Sequence, residues 1–289
     1  MRSSLQKLVT ERAQPWLGTI VSIRADAPQE VISAAFEEVA LIHRLMSFHD
    51  AASDVSRVNR EAHERPVAVH RYTLEVLDCA LRFAAISNGC FDISIGAELV
   101  EWGLLPRPEG ATARPEGTWH DIQLLSDGSV FFERPLWVDL GGIAKGFAVD
   151  RAMERLLAEG AEQAVVNAGG DIRVHGLTEP IRLSAETVTD TMPVLELTDG
   201  SVASSSGHLQ RRQVQGMTCG PHVHGVRRQP APADRFVCVL AEQCVAADAL
   251  TKIVMAEGSK SAGILREFAA LAYVHDPDTG WQCISEDED

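Results

Sequence analysis

Val138-Asp139-Leu140-Gly141-Gly142-Ile143-Ala144-Lys145-Gly146-Phe147-Ala148-Val149-Asp150 is the stretch on which the reading of the fold turns. Ahead of it, Leu136-Trp137-Val138 predicts a buried strand. Behind it, Ala148, Ala152 and Leu156 recur at helical spacing and Gly160 supplies a helix stop, so the paired glycines fall at a strand-to-helix turn. Such a turn lets backbone approach a ligand, presents unpaired N–H groups and carries Lys145 within reach of phosphate oxygens. That is the physics of anion capture. A Walker loop needs Ser or Thr after its lysine, where Gly146 stands, and the dinucleotide fingerprint has a different glycine spacing. Taken alone, the stretch fits a tight βα turn with a surface lysine equally well.

Composition bounds the alternatives. With 289 residues, 45% of them hydrophobic, the chain can bury a core as one large domain or as two fused lobes. A net charge of −15 argues against a nucleic-acid groove or an anionic membrane surface. No apolar run is long enough to insert across a bilayer. The six cysteines show no C-x-x-C pair, so reduced, mostly buried thiols and a cytoplasmic setting are expected. The Asp-Glu-rich end, from Ser285 to Asp289, reads as a solvated tail.

Along the chain, Leu17 to Ile23 alternates as an early strand, and Val31, Ala35, Val39, Ile42 and Met46 predict an amphipathic helix over 30–46. The polar run from Met46 to Asn59 reads as a loop rich in hydroxyls. A helix over 72–87 ends at Asn88-Gly89, and Phe91 to Gly96 reads as extended, with Asp92 either bonded to its own turn or gripping a base or ribose. Residues 106–118 read as a surface excursion, and 119–132 as a hairpin turning at Asp127-Gly128. Ala164-Val165-Val166 is a strand followed by a second glycine pair, and β structure is expected over 181–197. Residues 207–234 carry His208, Arg211, Arg212, His222, His224, Arg227 and Arg228, a basic patch suited to nearby carboxylates or to a polyphosphate. A strand over 236–240, a helix over 246–256 placing Asp248 and Lys252 on one face, and a strand over 271–274 complete the pattern.

In order, the segments LGTIVSI, MSFHDAASDVSRVN, FDISIG with WG behind it, VDLGGIAKGFAVD, VNAGGDI, SSSG and AADALTK resemble the ApbE family of flavin transferases. The resemblance spans about residues 17 to 258. It implies an α+β fold, antiparallel sheets with packed helices, in one domain over 17–282 between an N-terminal extension (1–16) and an acidic tail (283–289). It implies that FAD is cleaved and its FMN half transferred, with Mg²⁺, to a Thr or Ser hydroxyl of an acceptor protein, releasing AMP. A flavin-nucleotide binder without transfer chemistry and an FAD pyrophosphatase are the alternatives. By position, Leu17, His49, Ser53, Cys90, Phe91, Asp92, Asp139, Lys145 and His222 would contact FAD. Gly142, through its carbonyl, with Asp248 and Thr251, would face the metal. His222, favoured over His224, would be the base for the acceptor hydroxyl, and Lys252 a second catalytic group.

The chain departs from the family in two places. The Asp-Pro and Thr-Gly that follow the family's histidine are replaced by Gly225-Val226 and Arg228-Gln229. Where the family carries Thr, four residues after the metal-binding aspartate, stands Lys252, with Thr251 one place earlier and so turned by about 100° on a helix. Either the Lys252 ammonium pairs with Asp248 and substitutes for part of the magnesium charge, or the metal site is weakened.

Overall fold

Period-two alternation on strands that pack helices against one face sets the architecture. The computed structural model describes residues 9–111, 113–183, 194–207 and 210–285. Strands β1 (Thr10–Trp16) and β2 (Thr19–Ala25) form a hairpin through Leu17 and Gly18, whose φ values of 55° and 74° suit a two-residue turn. Helix α1 (Gln29–Met46) buries Ile32, Ala35, Phe36, Val39, Ile42 and Met46 along its inner face. Next come α2 (Asp54–Glu61), β3 (Val67–Ala68), α3 (Arg71–Ile86), α4 (Gly96–Glu101) and the hairpin β4 (Ile122–Leu124) with β5 (Ser129–Phe132). Helix α5 (Ala144–Ala158) leads into β6 (Ala164–Ala168) and β7 (Asp171–Arg182), joined by Gly169 and Gly170.

Strand β8 (Val194–Ser206) is followed by the short pairs β9 (Arg212–Val214) with β10 (Met217–Cys219) and β11 (Val223–His224) with β12 (Gln229–Pro230). The last elements are β13 (Phe236–Ala241), α6 (Cys244–Glu257), α7 (Ala262–Glu267), β14 (Leu271–Asp276) and β15 (Gly280–Ile284).

The main sheet runs β1-β2-β6-β7-β8-β13-β14-β15 and every neighbouring pair is antiparallel. The expected α+β class with antiparallel sheets is therefore the observed one. Strand β13 shows how the sheet divides its faces: Val237 and Val239 join the helix-side core with Leu250, Ile253 and Val254 of α6, while Phe236 and Cys238 join a smaller cluster with Ile172, Leu197 and Val202 on the other face.

Four expectations change. Leu136-Trp137-Val138 is buried and extended but pairs with no strand among the described residues; the Asn59 side chain takes both Val138 backbone groups, at 2.7 Å and 2.9 Å, and Trp137 O accepts the Gly96 N–H. The run from Met46 to Asn59 contains the start of α2, because the Ser53 Oγ accepts the Ser56 N–H at 3.0 Å and caps a helix there. Phe91 to Ile95 is a series of turns held by Asp92, whose Oδ1 accepts both the N–H and the hydroxyl of Ser94, each at 2.7 Å. Finally, residues 10–16 of the expected extension are the edge strand β1, and Cys283 and Ile284 of the expected tail belong to β15, so the fold runs from at least Thr10 to Ile284. Of the β structure expected over 181–197, residues 184–193 lie outside the described residues, as do His208 and residues 286–289.

Candidate active site

Helices α5 and α6 cap each other. Asp248 of α6 accepts the Gly146 N–H in the first turn of α5 at 3.1 Å. Asp150 of α5 accepts the N–H groups of Cys244 and Val245 at the start of α6, at 3.0 Å and 2.8 Å. The helices cross tightly enough that a Cβ on Gly146 would sit 2.3 Å from the Cys244 carbonyl oxygen, which is why glycine stands there.

That crossing gathers a line of alternating charge, its carboxylates buried and its ammonium groups half-buried. Lys145 forms an ion pair with Asp171, the first residue of β7, and its Nζ lies 3.6 Å from Asp248 Oδ2. The Lys252 Nζ lies 2.5 Å from Asp248 Oδ1, and donates to Ser205 Oγ and Thr251 Oγ1, both at 2.9 Å. Thr251 Oγ1 also donates to the Asp248 carbonyl at 2.7 Å and lies 2.8 Å from Ser205 Oγ. Asp171, Asp248 and Thr251 are fully buried, and Asp171 Oδ1 has no partner among the described residues. The Gly169-Gly170 turn brings Asp171 here by passing between Thr19 and Ser204; a Cβ on either glycine would come within 2.4 Å or 2.6 Å of their hydroxyl oxygens.

The charges shape one another. Burial opposes a charged Lys145, but Asp171 and Asp248 outweigh it and hold its pKa above the ordinary value. Burial likewise opposes a charged Asp248, and Lys145 and Lys252 outweigh it, keeping this carboxyl ionised below the usual range. Asp171 goes the other way: burial and the neighbouring Asp248 charge push its pKa up in spite of Lys145. His222 faces the same cluster. Burial, together with the Lys252 ammonium, lowers it to about 3, so its imidazole is neutral at pH 7. Gly142 stands against the same cluster: a Cβ there would lie 3.4 Å from Lys252 Cγ and 3.6 Å from the Phe91 ring.

Six expected site residues thus gather with Phe91 around the α5–α6 crossing: Gly142, Lys145, His222, Asp248, Thr251 and Lys252. Asp139 is half-buried; burial pushes its pKa up to about 6, against the Gly141 N–H at 3.2 Å and the exposed His49. The others lie apart from the charge cluster. Leu17 forms the β1–β2 turn beside an open depression of about 510 Å³ shared with Trp16 and His43. The Ser53 hydroxyl caps α2 and donates to Ser47 O at 2.6 Å. Cys90 lines a separate cleft with Glu257 and His224, which pair at 2.7 Å, and burial pushes its thiol up to about 12. Asp92 is paired with Arg228 at 2.6 Å.

Sequence reasoning assigns no role to Asp171 or Ser205, and names Arg228 only as part of a basic patch suited to nearby carboxylates or a polyphosphate. The first two lie inside segments already marked by their glycines and serines, VNAGGDI and SSSG, which was the available signal. Arg228 holds Asp92 across 136 positions and nothing local announces it.

The residues expected to hold magnesium do not fit a divalent ion in this arrangement. Both Asp248 oxygens are taken by ammonium and amide donors, and the Thr251 hydroxyl is turned to the helix carbonyl, Ser205 and Lys252. Two unit charges 4 Å apart repel by about 4 kcal/mol at an effective dielectric near 20, and a divalent ion beside Lys252 would meet roughly twice that.

Comparison with known proteins gives the same family as the motifs. The ApbE family model matches residues 17–274. An FAD:protein FMN transferase of Vibrio cholerae is 28% identical over 273 residues, covering 85% of this chain and 80% of that protein. One from Treponema pallidum is 28% identical over 304 residues, covering 90% and 82%. The crystal structure of the Thermotoga maritima ApbE protein superposes with a TM-score of 0.83 at 24% identity, over 95% of this chain and 96% of that one. With the family model, the relatives and the fold in agreement, the chain belongs to the ApbE family.

Proposed function

We propose that this chain is an FAD:protein FMN transferase, which cleaves the diphosphate of FAD, transfers the FMN half to a Ser or Thr hydroxyl of an acceptor protein and releases AMP. The observation that carries the reading is the pair of half-buried ammonium groups, Lys145 and Lys252, set at a glycine turn and helix start with neutral His222 beside them.

The acceptor oxygen attacks the FMN-side phosphorus and forms a new P–O bond. The P–O–P linkage breaks, and the bridging oxygen departs with AMP. The hydroxyl proton passes to His222 and then to solvent. An imidazole lowered to about 3 is a weak base in the free protein. A diphosphate anion beside it raises its proton affinity, so binding of FAD itself prepares the base. Lys145 orients the diphosphate and offsets its charge, while Asp171 and Asp248 hold both lysines in position. The free thiols support a reducing compartment, the cytoplasm, for this reaction; no helix among the described residues is long and apolar enough to cross a membrane.

The test is to incubate the protein with FAD and a mixture of Ser- and Thr-containing peptides, following AMP by chromatography and peptide mass by spectrometry. AMP appearing only with peptide, together with the mass of FMN on a peptide hydroxyl, supports the transferase. AMP without peptide indicates a pyrophosphatase, and bound intact FAD a binding protein; either result replaces the proposal.

A further inference from the structure

We infer that Lys252 takes the place of a divalent cation at this site, so that FMN transfer by this chain proceeds without bound metal. The inference rests on the proposed transfer reaction for its catalytic half and on geometry and charge for its binding half.

An ammonium has three N–H donors, and those of Lys252 have three oxygen partners of the kinds that bind a hard cation: a carboxylate and two hydroxyls, at 2.5 Å, 2.9 Å and 2.9 Å. The seat comes from two elements, Asp248 and Thr251 on α6 and Ser205 on β8, so the sheet and the helix together fix the charge in space. Spacing on α6 explains why the lysine reaches it. Lys252 lies one helical turn beyond Asp248 and faces the same way. The Lys252 stem lies along Gly142, where a Cβ would meet Cγ at 3.4 Å and Cε at 3.5 Å in ordinary contact, so the stem packs on the glycine turn.

Charge leads to the same conclusion. Lys145 and Lys252 face Asp171 and Asp248, so the line is already neutral, with two positive groups against two negative ones. A dication added to it would leave the site with surplus positive charge, and would have to share the Asp248 oxygens with the ammonium and amide donors already on them. A tethered ammonium does part of what a metal ion does in phosphoryl transfer: it opposes charge on the non-bridging oxygens from a fixed position. It does not polarise them by direct coordination. Transfer is therefore expected to be slower than at a metal-assisted site but indifferent to chelators.

Two measurements test this. Mn²⁺ alone is titrated into the full chain and free ion followed by electron paramagnetic resonance; the wild type is expected to bind none up to millimolar concentration, whereas Lys252→Ala, which vacates the seat, is expected to bind one ion. Peptide flavinylation is then run in EDTA and in excess Mg²⁺. The wild type is expected to give equal rates, and Lys252→Ala to lose about 100-fold in EDTA and recover at least about tenfold of that with Mg²⁺. Stoichiometric Mn²⁺ binding by the wild type, or loss of its transfer in EDTA, overturns the inference. If no flavinylation occurs under any condition, the proposed function fails, yet the Mn²⁺ titration of the wild type still decides whether the lysine holds the cation seat; this also holds if the variant does not fold.

Discussion

The carboxylate of Asp248 accepts the backbone N–H of Gly146 at 3.1 Å while its other oxygen lies 2.5 Å from the Lys252 ammonium, so one side chain ties the start of α5 to the catalytic face of α6. Structure and chemistry are therefore not separable at this point in the fold. A change at the helix crossing alters the charge line, and a change in the charge line leaves a helix end unsatisfied.

Gly146→Ala tests the crossing. The added methyl would lie 2.3 Å from the Cys244 carbonyl oxygen and 2.8 Å from Asp248 Cβ, both fixed by helix backbone. The helices must separate, and a loss of about 2–4 kcal/mol is expected in urea denaturation. Unchanged stability would show that the crossing is looser than described.

Asp150→Ala tests the reciprocal cap. Asp150 is buried, receives the Cys244 and Val245 N–H groups and pairs with Arg173 at 2.6 Å. Its removal leaves two amides and a guanidinium without their acceptor, for an expected loss of about 3–5 kcal/mol. Loss should be much smaller for an exposed carboxylate such as Asp78, whose pair with Arg82 is on the surface.

Asp139 should make stability depend on pH in the direction opposite to a salt-bridged carboxylate. Its folded pKa is pushed up to about 6, from 3.8 when unfolded, so between those values the folded chain holds a proton that the unfolded chain has released. Stability from this group is lost as pH rises from about 4 to 6. Asp139→Asn keeps an acceptor for the Gly141 N–H, so its melting temperature relative to wild type, without FAD, should be unchanged at pH 4 and higher at pH 7. A gain that is largest at pH 4 would reverse the assignment.

His222→Gln separates binding from transfer. Because the imidazole is neutral above about pH 3 in the free protein, any step in FAD binding between pH 5 and 8 that disappears in the variant reports the proton affinity His222 gains in the complex. The variant should keep FAD affinity within a few-fold while peptide flavinylation falls by about 10²–10⁴. An equal loss in both would make His222 a binding group rather than the base.

The long helices were legible because their apolar spacing was regular, as with α1, where Ala35, Val39, Ile42 and Met46 are all buried, whereas the short α2, α4 and α7 were not. Leu136 to Val138 misled for a physical reason: a buried extended segment has the composition of a strand, and only the Asn59 amide, 79 positions away, shows that its backbone bonds to a side chain instead. Lys145, Asp248 and Lys252 could be read from spacing at a glycine turn and on one helix face. Asp171 could not be placed as the Lys145 partner, because that contact depends on how β7 lies against α5. Nor could sequence show that Ser53 caps a helix or that Arg228 neutralises Asp92, since both facts belong to packing. The departure at Lys252 was visible as a letter, and its meaning required the positions of Ser205 and Thr251.

The most direct test is the FAD affinity of the double variant Lys145→Met, Asp171→Asn, read by flavin fluorescence. Replacing both members of the buried pair leaves no unpaired charge between them, so the fold should survive with little change in melting temperature. If the diphosphate is held at the start of α5, affinity should fall at least about tenfold, the equivalent of about 1.4 kcal/mol. Wild-type affinity in a folded double variant would place the nucleotide elsewhere and contradict the assignment of this site.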